Sequence, residues 1–208
     1  MLYLIRHGET EWNRTGRIQG RSNIPLSDAG EKEARVLSGL MEKIRFAQIV
    51  SSDLERAHQT AIILSRGECV VTKDARLRER SYGRYEGMTV DEIVLSFQRE
   101  HPAFNREEFD PVLRWPEGCG VERFGDVLER GREAVLEYSV RAKEADIALV
   151  THGNVLSALL YWTLGIPQNE PRCFRLANCM CAEIGIEGGR PALRSLVSPS
   201  AFGGMFLS

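Results

Sequence analysis

Two His-Gly pairs stand at matching points of the chain, each directly after a short apolar run. Leu2-Tyr3-Leu4-Ile5 ends in Arg6-His7-Gly8, and Ile147-Ala148-Leu149-Val150-Thr151 ends in His152-Gly153. An imidazole can serve as a nucleophile or as an acid and base near neutral pH. The fork of Arg6, directly before the first one, can neutralise and orient a phosphate. A third group, Ser51-Ser52-Asp53-Leu54-Glu55-Arg56-Ala57, follows the apolar run 48–50 and puts Arg56 in the first turn of a helix. A cation there opposes the helix dipole, a cost that makes sense where it faces an anion. The fourth group, Arg78-Glu79-Arg80-Ser81-Tyr82-Gly83, sets a carboxyl among arginines. Beside a phosphate dianion such a carboxyl can keep a proton and act as a general acid. Each group alone also has an ordinary reading: a strand end with a snorkelling arginine, a surface cation, an ion-paired carboxylate. Two His-Gly corners after two apolar strands make chance a poor account of all of them together.

The elements that must position these groups follow from the hydrophobic pattern. Strand runs cover residues 2–6, 48–51, 69–73, 147–151, 181–186 and 192–197. Helical periodicity fills the intervals. Ser27 is the expected N-cap of an amphipathic stretch over 28–45, and Asp53 or Ser52 that of a second over 54–66. Thr89-Val90-Asp91-Glu92 has capping-box form and opens a third helix. A long fourth spans 122–145, with Val127, Leu128, Ala134, Val135 and Tyr138 on one face. An apolar fifth, 153–164, stops at Gly165-Ile166-Pro167. Strands alternating with helices predict an α/β fold, a three-layer α/β/α sandwich around a mostly parallel sheet. The bridge Glu187-Gly188-Gly189-Arg190-Pro191 reads as a hairpin, which makes one edge strand antiparallel. Residues 99–120, broken by Pro102, Pro111 and Pro116, read as an irregular cap over the sheet end, an insertion of about 88–121 in a single domain of 1–208. In such sheets ligands bind beyond the carboxyl ends of the strands, where all four groups fall.

Composition narrows the chemistry further. A net charge of −2 gives no basic field, so a nucleic-acid partner has no electrostatic support. No apolar run reaches the ~20 residues that would span a bilayer. The opening Met-Leu-Tyr-Leu-Ile-Arg lacks the form of a signal peptide, so the expectation is a cytoplasmic protein. Cys69, Cys119, Cys173, Cys179 and Cys181 form no CxxC pair and read as reduced thiols. With no Walker loop, no GxGxxG and no metal-ligand cluster in the sequence, the implied chemistry is phosphoryl transfer without metal. Two arginines and the second imidazole would supply the charge stabilisation.

The sequence resembles the histidine phosphatase superfamily, the phosphoglycerate mutase-like proteins, over nearly its whole length. Leu4-Ile5-Arg6-His7-Gly8-Glu9-Thr10-Glu11-Trp12-Asn13 is similar to the family's opening motif, with Gln19-Gly20 its continuation and Pro25-Leu26-Ser27-Asp28-Ala29-Gly30 the entry to its first helix. The Arg56 block, Leu77-Arg78-Glu79 and Val150-Thr151-His152-Gly153 match the remaining catalytic blocks. The resemblance implies that His7 becomes phosphohistidine, that Arg6, Arg56 and His152 hold the phosphoryl oxygens, and that Glu79 protonates the leaving alkoxide. It also sets Asn13, Gln19, Gly20, Arg80, Tyr82 and Gly153 around the substrate.

The resemblance points two ways on the phosphoryl acceptor. Glu79-Arg80-Ser81-Tyr82-Gly83 looks like the mutase form, in which Arg80 and Tyr82 bind a phosphoglycerate. Tyr85-Glu86-Gly87 and the 116–124 block look like the short phosphatases, and no lysine with paired arginines follows as in the mutases. The expectation is a phosphatase acting on a small phosphomonoester, with Arg80 hinting at a carboxylate on it, and no cofactor. The alternative is a mutase using 2,3-bisphosphoglycerate as phosphodonor, and a third class is a silent phospho-ligand binding module. His58 and His101 read as structural or solvated, and Trp115 and Phe124 as either pocket mouth or cap anchor. The apolar tail 201–206 either covers the site or pairs two subunits as a homodimer.

Overall fold

The computed structural model describes residues 1–100, 104–110, 115–167, 176–187 and 190–199. Six strands form one sheet: β1 (Leu2–Arg6), β2 (Phe46–Ser51), β3 (Val70–Lys73), β4 (Asp146–Thr151), β5 (Cys181–Glu187) and β6 (Arg190–Val197), in the order β3-β2-β4-β1-β5-β6. β1 and β4 are central and almost wholly buried, which is why their sequences are continuously apolar rather than alternating. They run parallel, with Ile5 opposite Val150 and Arg6 opposite Thr151, so the two His-Gly corners leave the sheet side by side. β2 is parallel to both β4 and β3. The hairpin supplies the antiparallel edge: β5 runs against β1, and β6 against β5.

Helices α2 (Asp28–Leu40) and α3 (Glu55–Ser65) bury Ala34, Leu37, Ala57, Ala61 and Leu64 against one face of the sheet. On the other face α5 (Phe124–Arg141) and α6 (Gly153–Leu164) contribute Val127, Ala134, Val135, Leu156 and Leu159. A short α1 (Glu11–Arg14) follows the first corner, and α4 (Val90–Glu100) lies outside the sandwich. α4 opens with the expected capping box: Thr89 Oγ1 accepts from the Glu92 N–H at 3.2 Å, and the Glu92 carboxylate from the Thr89 N–H at 2.7 Å. Its apolar face builds a third core, Ile93, Val94 and Phe97 with Tyr82, Tyr85 and Phe109. Trp115 closes that core, with ring centroids 5.3 Å from Tyr82 and 5.2 Å from Tyr85. Trp115 is thus a cap anchor, while Phe124 is buried in the main core beside Tyr161.

Several helix boundaries differ from the sequence expectation, each for a tertiary reason. α2 ends at Leu40 rather than 45, because Arg66 donates to the carbonyls of Ser38, Met41 and Ile44 and holds 41–45 as a turn. Neither Asp53 nor Ser52 caps α3. The N-cap position is Leu54, the Asp53 carboxylate is drawn off to Arg78 at 2.8 Å, and Asn23 Oδ1 accepts the Glu55 N–H at 2.8 Å instead. α5 starts at Phe124 because Glu122 is engaged with the loop after β3, and it ends at Arg141. Parts of the expected cap (101–103 and 111–114, with His101, Pro102 and Pro111), Cys173, the hairpin residues Gly188 and Gly189, and the tail 201–206 lie outside the described residues. Among the described residues no helix is long and apolar enough to cross a membrane.

Candidate active site

The loops leaving β1, β2, β3 and β4 surround a cavity of about 220 Å³ at the carboxyl end of the sheet. Arg6, His7, Arg56 and Glu79 line it, together with Asn13, Gln19, Gly20, Tyr82 and Gly153. His152 lies behind the wall, fully buried, its ring centroid 5.1 Å from that of His7. Arg80 is also buried, but its side chain turns away: Nε donates to the Glu122 carbonyl at 2.5 Å, and the guanidinium lies 5.6 Å from the Tyr82 ring centroid.

His7 owes its position to a close approach of backbone. A Cβ on Gly8 would fall 2.5 Å from the Gly30 carbonyl oxygen, so only glycine lets the first corner lie on the start of α2. The Gly8 N–H donates to Thr60 Oγ1 at 3.1 Å, and the His7 N–H to the Thr151 carbonyl at 3.0 Å. The ring is held from both ends. Nδ1 lies 2.6 Å from the Gly8 carbonyl, which can only accept, while Nε2 lies 3.3 Å from Arg56 Nε–H, which can only donate. These partners fix the neutral tautomer with hydrogen on Nδ1 and a lone pair on Nε2. Burial, with the charges of Arg56 and Arg6, holds His7 well below the ordinary histidine range. A neutral imidazole with its lone pair beside two guanidinium groups can attack phosphorus.

Arg56 is fully buried and committed at each nitrogen. Nη1 donates to the Ser22 carbonyl and Nη2 to the Gly20 carbonyl, both at 2.8 Å. Burial lowers its pKa to about 10, with Glu79 and Glu86 opposing, so it stays charged at neutral pH. Gly20 takes φ +54°, and the Glu86 carboxylate fills the space a side chain would need. Glu86 accepts from the Arg21 N–H at 2.9 Å and from Ser22 Oγ at 2.7 Å, and so shapes the loop that receives Arg56. At His152 both ring nitrogens are buried without a hydrogen-bond partner, and burial with the nearby Arg56 holds the ring well below its usual pKa. An unsatisfied buried imidazole is costly, and an oxyanion in the cavity would give it an acceptor.

Glu79 lines the same cavity as His7. Its Oε1 accepts from the Arg80 N–H at 2.8 Å and Oε2 from the Asn154 N–H at 3.3 Å, at the start of α6. The loop beneath it is tied to α5 by Arg130, which donates to the carbonyls of Arg76 at 2.7 Å and Arg78 at 2.5 Å. Glu122 grips the same arginine at 2.9 Å and the Ser81 N–H at 2.9 Å. Tyr82, raised by burial, hydrogen-bonds with the side chains of Asn154 and Arg80.

The segment 176–180, entering β5, escaped the sequence reading. The Leu176 carbonyl accepts from Arg6 Nη1, and Asn178 Nδ2 donates to the His7 carbonyl at 3.1 Å and to Asn13 Oδ1 at 3.3 Å. Asn13 Oδ1 also takes the Thr10 N–H at 3.1 Å. That leaves the Asn13 amide nitrogen as the group available to a ligand. One signal was present, an asparagine heading an apolar strand that pairs with β1, but nothing local says what it touches.

Such a set of groups at the ends of parallel strands has the chemistry to bind and transfer a phosphoryl group. Residues 2–199 match the family model of the histidine phosphatase superfamily, branch 1, and the chain belongs to that superfamily. It is 34% identical over 186 residues to a protein of Serratia proteamaculans (strain 568) named probable phosphoglycerate mutase GpmB, covering 88% of this chain and 83% of that one. Among solved structures, Bacillus stearothermophilus YhfR superposes with a TM-score of 0.79 at 35% identity, covering 92% of this chain and 94% of that one. Phosphoserine phosphatase of Entamoeba histolytica, in complex with 3-phosphoglyceric acid, gives 0.78 at 26% identity, covering 95% and 96%. A mycobacterial glucosyl-3-phosphoglycerate phosphatase complexed with VO3 gives 0.76 at 29%, covering 95% and 96%.

Proposed function

We propose that this chain is a phosphomonoester hydrolase that works through phosphohistidine at His7. The observation that carries this reading is the fixed neutral tautomer of His7, with its Nε2 lone pair in the cavity against Arg56 and with Glu79 lining the same cavity. Nε2 attacks phosphorus as the ester P–O bond breaks, and the leaving alkoxide takes the proton of Glu79. A water then gives its proton to Glu79 and attacks the phosphohistidine, which releases inorganic phosphate and restores neutral His7. Arg6 and Arg56 neutralise the equatorial oxygens, which is where most of the rate enhancement in phosphoryl transfer arises.

Hydrolysis, rather than return of the phosphate to a second hydroxyl, is supported by the wall of the cavity. Beyond Arg6 and Arg56, the described lining holds a single further cation, Arg17. The solved neighbours named phosphatases support the same reading, and the names of two of them involve phosphoserine and a phosphoglycerate, both carboxylate-bearing. The mutase alternative is favoured by the names of the curated relatives, and would require 2,3-bisphosphoglycerate as phosphodonor.

The test is incubation with 3-phosphoglycerate, with and without 2,3-bisphosphoglycerate, alongside a panel of sugar phosphates. Phosphate release with acid-labile, base-stable label on His7 is the expected result. Isomerisation outrunning release would replace the hydrolase reading by the mutase. Label absent with every donor would leave a binding module.

A further inference from the structure

Resting on the hydrolase reading, we infer that Arg17, and not Arg80, receives a carboxylate carried by the leaving group. Arg80 is the cation to which the sequence points, yet its side chain is spent on the Glu122 carbonyl and the Tyr82 ring, outside the cavity lining. Arg56 has all three nitrogens engaged. Arg17 differs. Nη1 donates to the Gly87 carbonyl at 2.6 Å and lies 3.4 Å from Glu92 Oε2, while Nε and Nη2 make no hydrogen bond among the described residues. Those two nitrogens form the side-on edge of the guanidinium, the edge that matches a carboxylate bidentately.

The backbone under Arg17 is held on both sides. Its N–H donates to the Trp12 carbonyl at 2.8 Å, and the next residue exchanges bonds with Met88 at 2.9 Å and Gly87 at 2.7 Å. The side chain is 40% exposed, so a small anion can reach it without a rearrangement of the fold. Arg17 lines the cavity that holds His7 and Arg56, whose wall also carries Ile18, Val90 and Leu176, and it borders a second surface cavity with Gly87 and Glu92. A cavity lined by His7, Arg6 and Arg56 and by one further cation among the described residues fits a small phosphoester that carries a carboxylate.

The decisive pair is 3-phosphoglycerate and glycerol 3-phosphate, which differ by a carboxylate against a hydroxymethyl group. Discrimination is read twice: as Kd by calorimetry in a His7→Ala background, which needs no turnover, and as kcat/KM with His7 intact. Both ratios are expected to favour the carboxylate. Arg17→Met should cut them about 10- to 100-fold, the range of a charge-assisted contact. Arg17→Lys should restore part of the loss, because it keeps the charge and not the fork. Glu92→Gln, which retains the capping form, should raise the preference by removing a competing carboxylate. Ratios unchanged in Arg17→Met, or lost in Arg80→Met and not in Arg17→Met, overturn the assignment. Discrimination in Kd without phosphate release would sink the hydrolase reading and leave Arg17 standing.

Discussion

Two buried neutral imidazoles make the fold acid-sensitive in a defined window. In the unfolded chain His7 and His152 each take up a proton near pH 6.5, whereas in the fold burial and the nearby arginines hold both well below that value. As pH falls through 6.5 the unfolded state therefore binds more protons than the folded one, and stability is lost on acidification. From pH 7.5 to 5.5 each histidine removes RT ln(11/1.1), about 1.4 kcal/mol, so the pair removes about 2.7 kcal/mol. Replacement of His152 by Gln should cut that loss by about half, and His7→Gln should act alike. Urea unfolding at the two pH values measures it. Other titrating groups, such as His58, lowered by burial and Lys73, or Glu33, raised by burial, act equally in all variants and cancel in the comparison. If His152→Gln shows the pH dependence of the unmodified protein, the buried imidazole is not neutral in the fold and the tautomer argument for His7 loses its support.

Glu79→Gln should lower kcat by about 10²–10⁴-fold for alkyl phosphates, with a much smaller loss for aryl phosphates whose phenols leave without a proton; equal losses across a leaving-group series would deny Glu79 the acid role. Asn178→Ala removes two hydrogen bonds of about 0.5–1.5 kcal/mol each and frees the Asn13 amide to rotate, so kcat/KM should fall about 10-fold. In the Asn13→Ala background the same change should cost less than about 2-fold, and additive losses would show that Asn178 does not act through Asn13. Gly8→Ala should force the first corner off Gly30 and cost about 1–3 kcal/mol, seen as a melting temperature lower by roughly 2–12 °C.

Much of the architecture was legible in the chain because its signals are local. The continuous apolar runs of β1 and β4, buried on both faces, announce central parallel strands, and Ser27 and Thr89 cap their helices as their spacing requires. Where a helix boundary departs from the periodicity, a distant side chain intervenes. Asn23 caps α3 from 32 residues away, and Arg66 reaches back to end α2. Periodicity carries no trace of such contacts.

The candidate site divides along the same line. Arg6, His7, Arg56, Glu79 and His152 could be picked out from the sequence, because parallel α/β topology sends every strand-end loop to one edge and residue type then states the chemistry. Which nitrogen of His7 keeps its lone pair was decided only in three dimensions, by a carbonyl one residue on and a guanidinium 49 residues away. Asn178 entered the site across 171 residues of chain, Arg80 was withdrawn by Glu122, and Arg17 was left with two nitrogens uncommitted. Residue type and strand order sufficed to bring the reactive groups together. Their protonation, orientation and availability depended on hydrogen bonds, most of them long-range, that the tertiary packing selects.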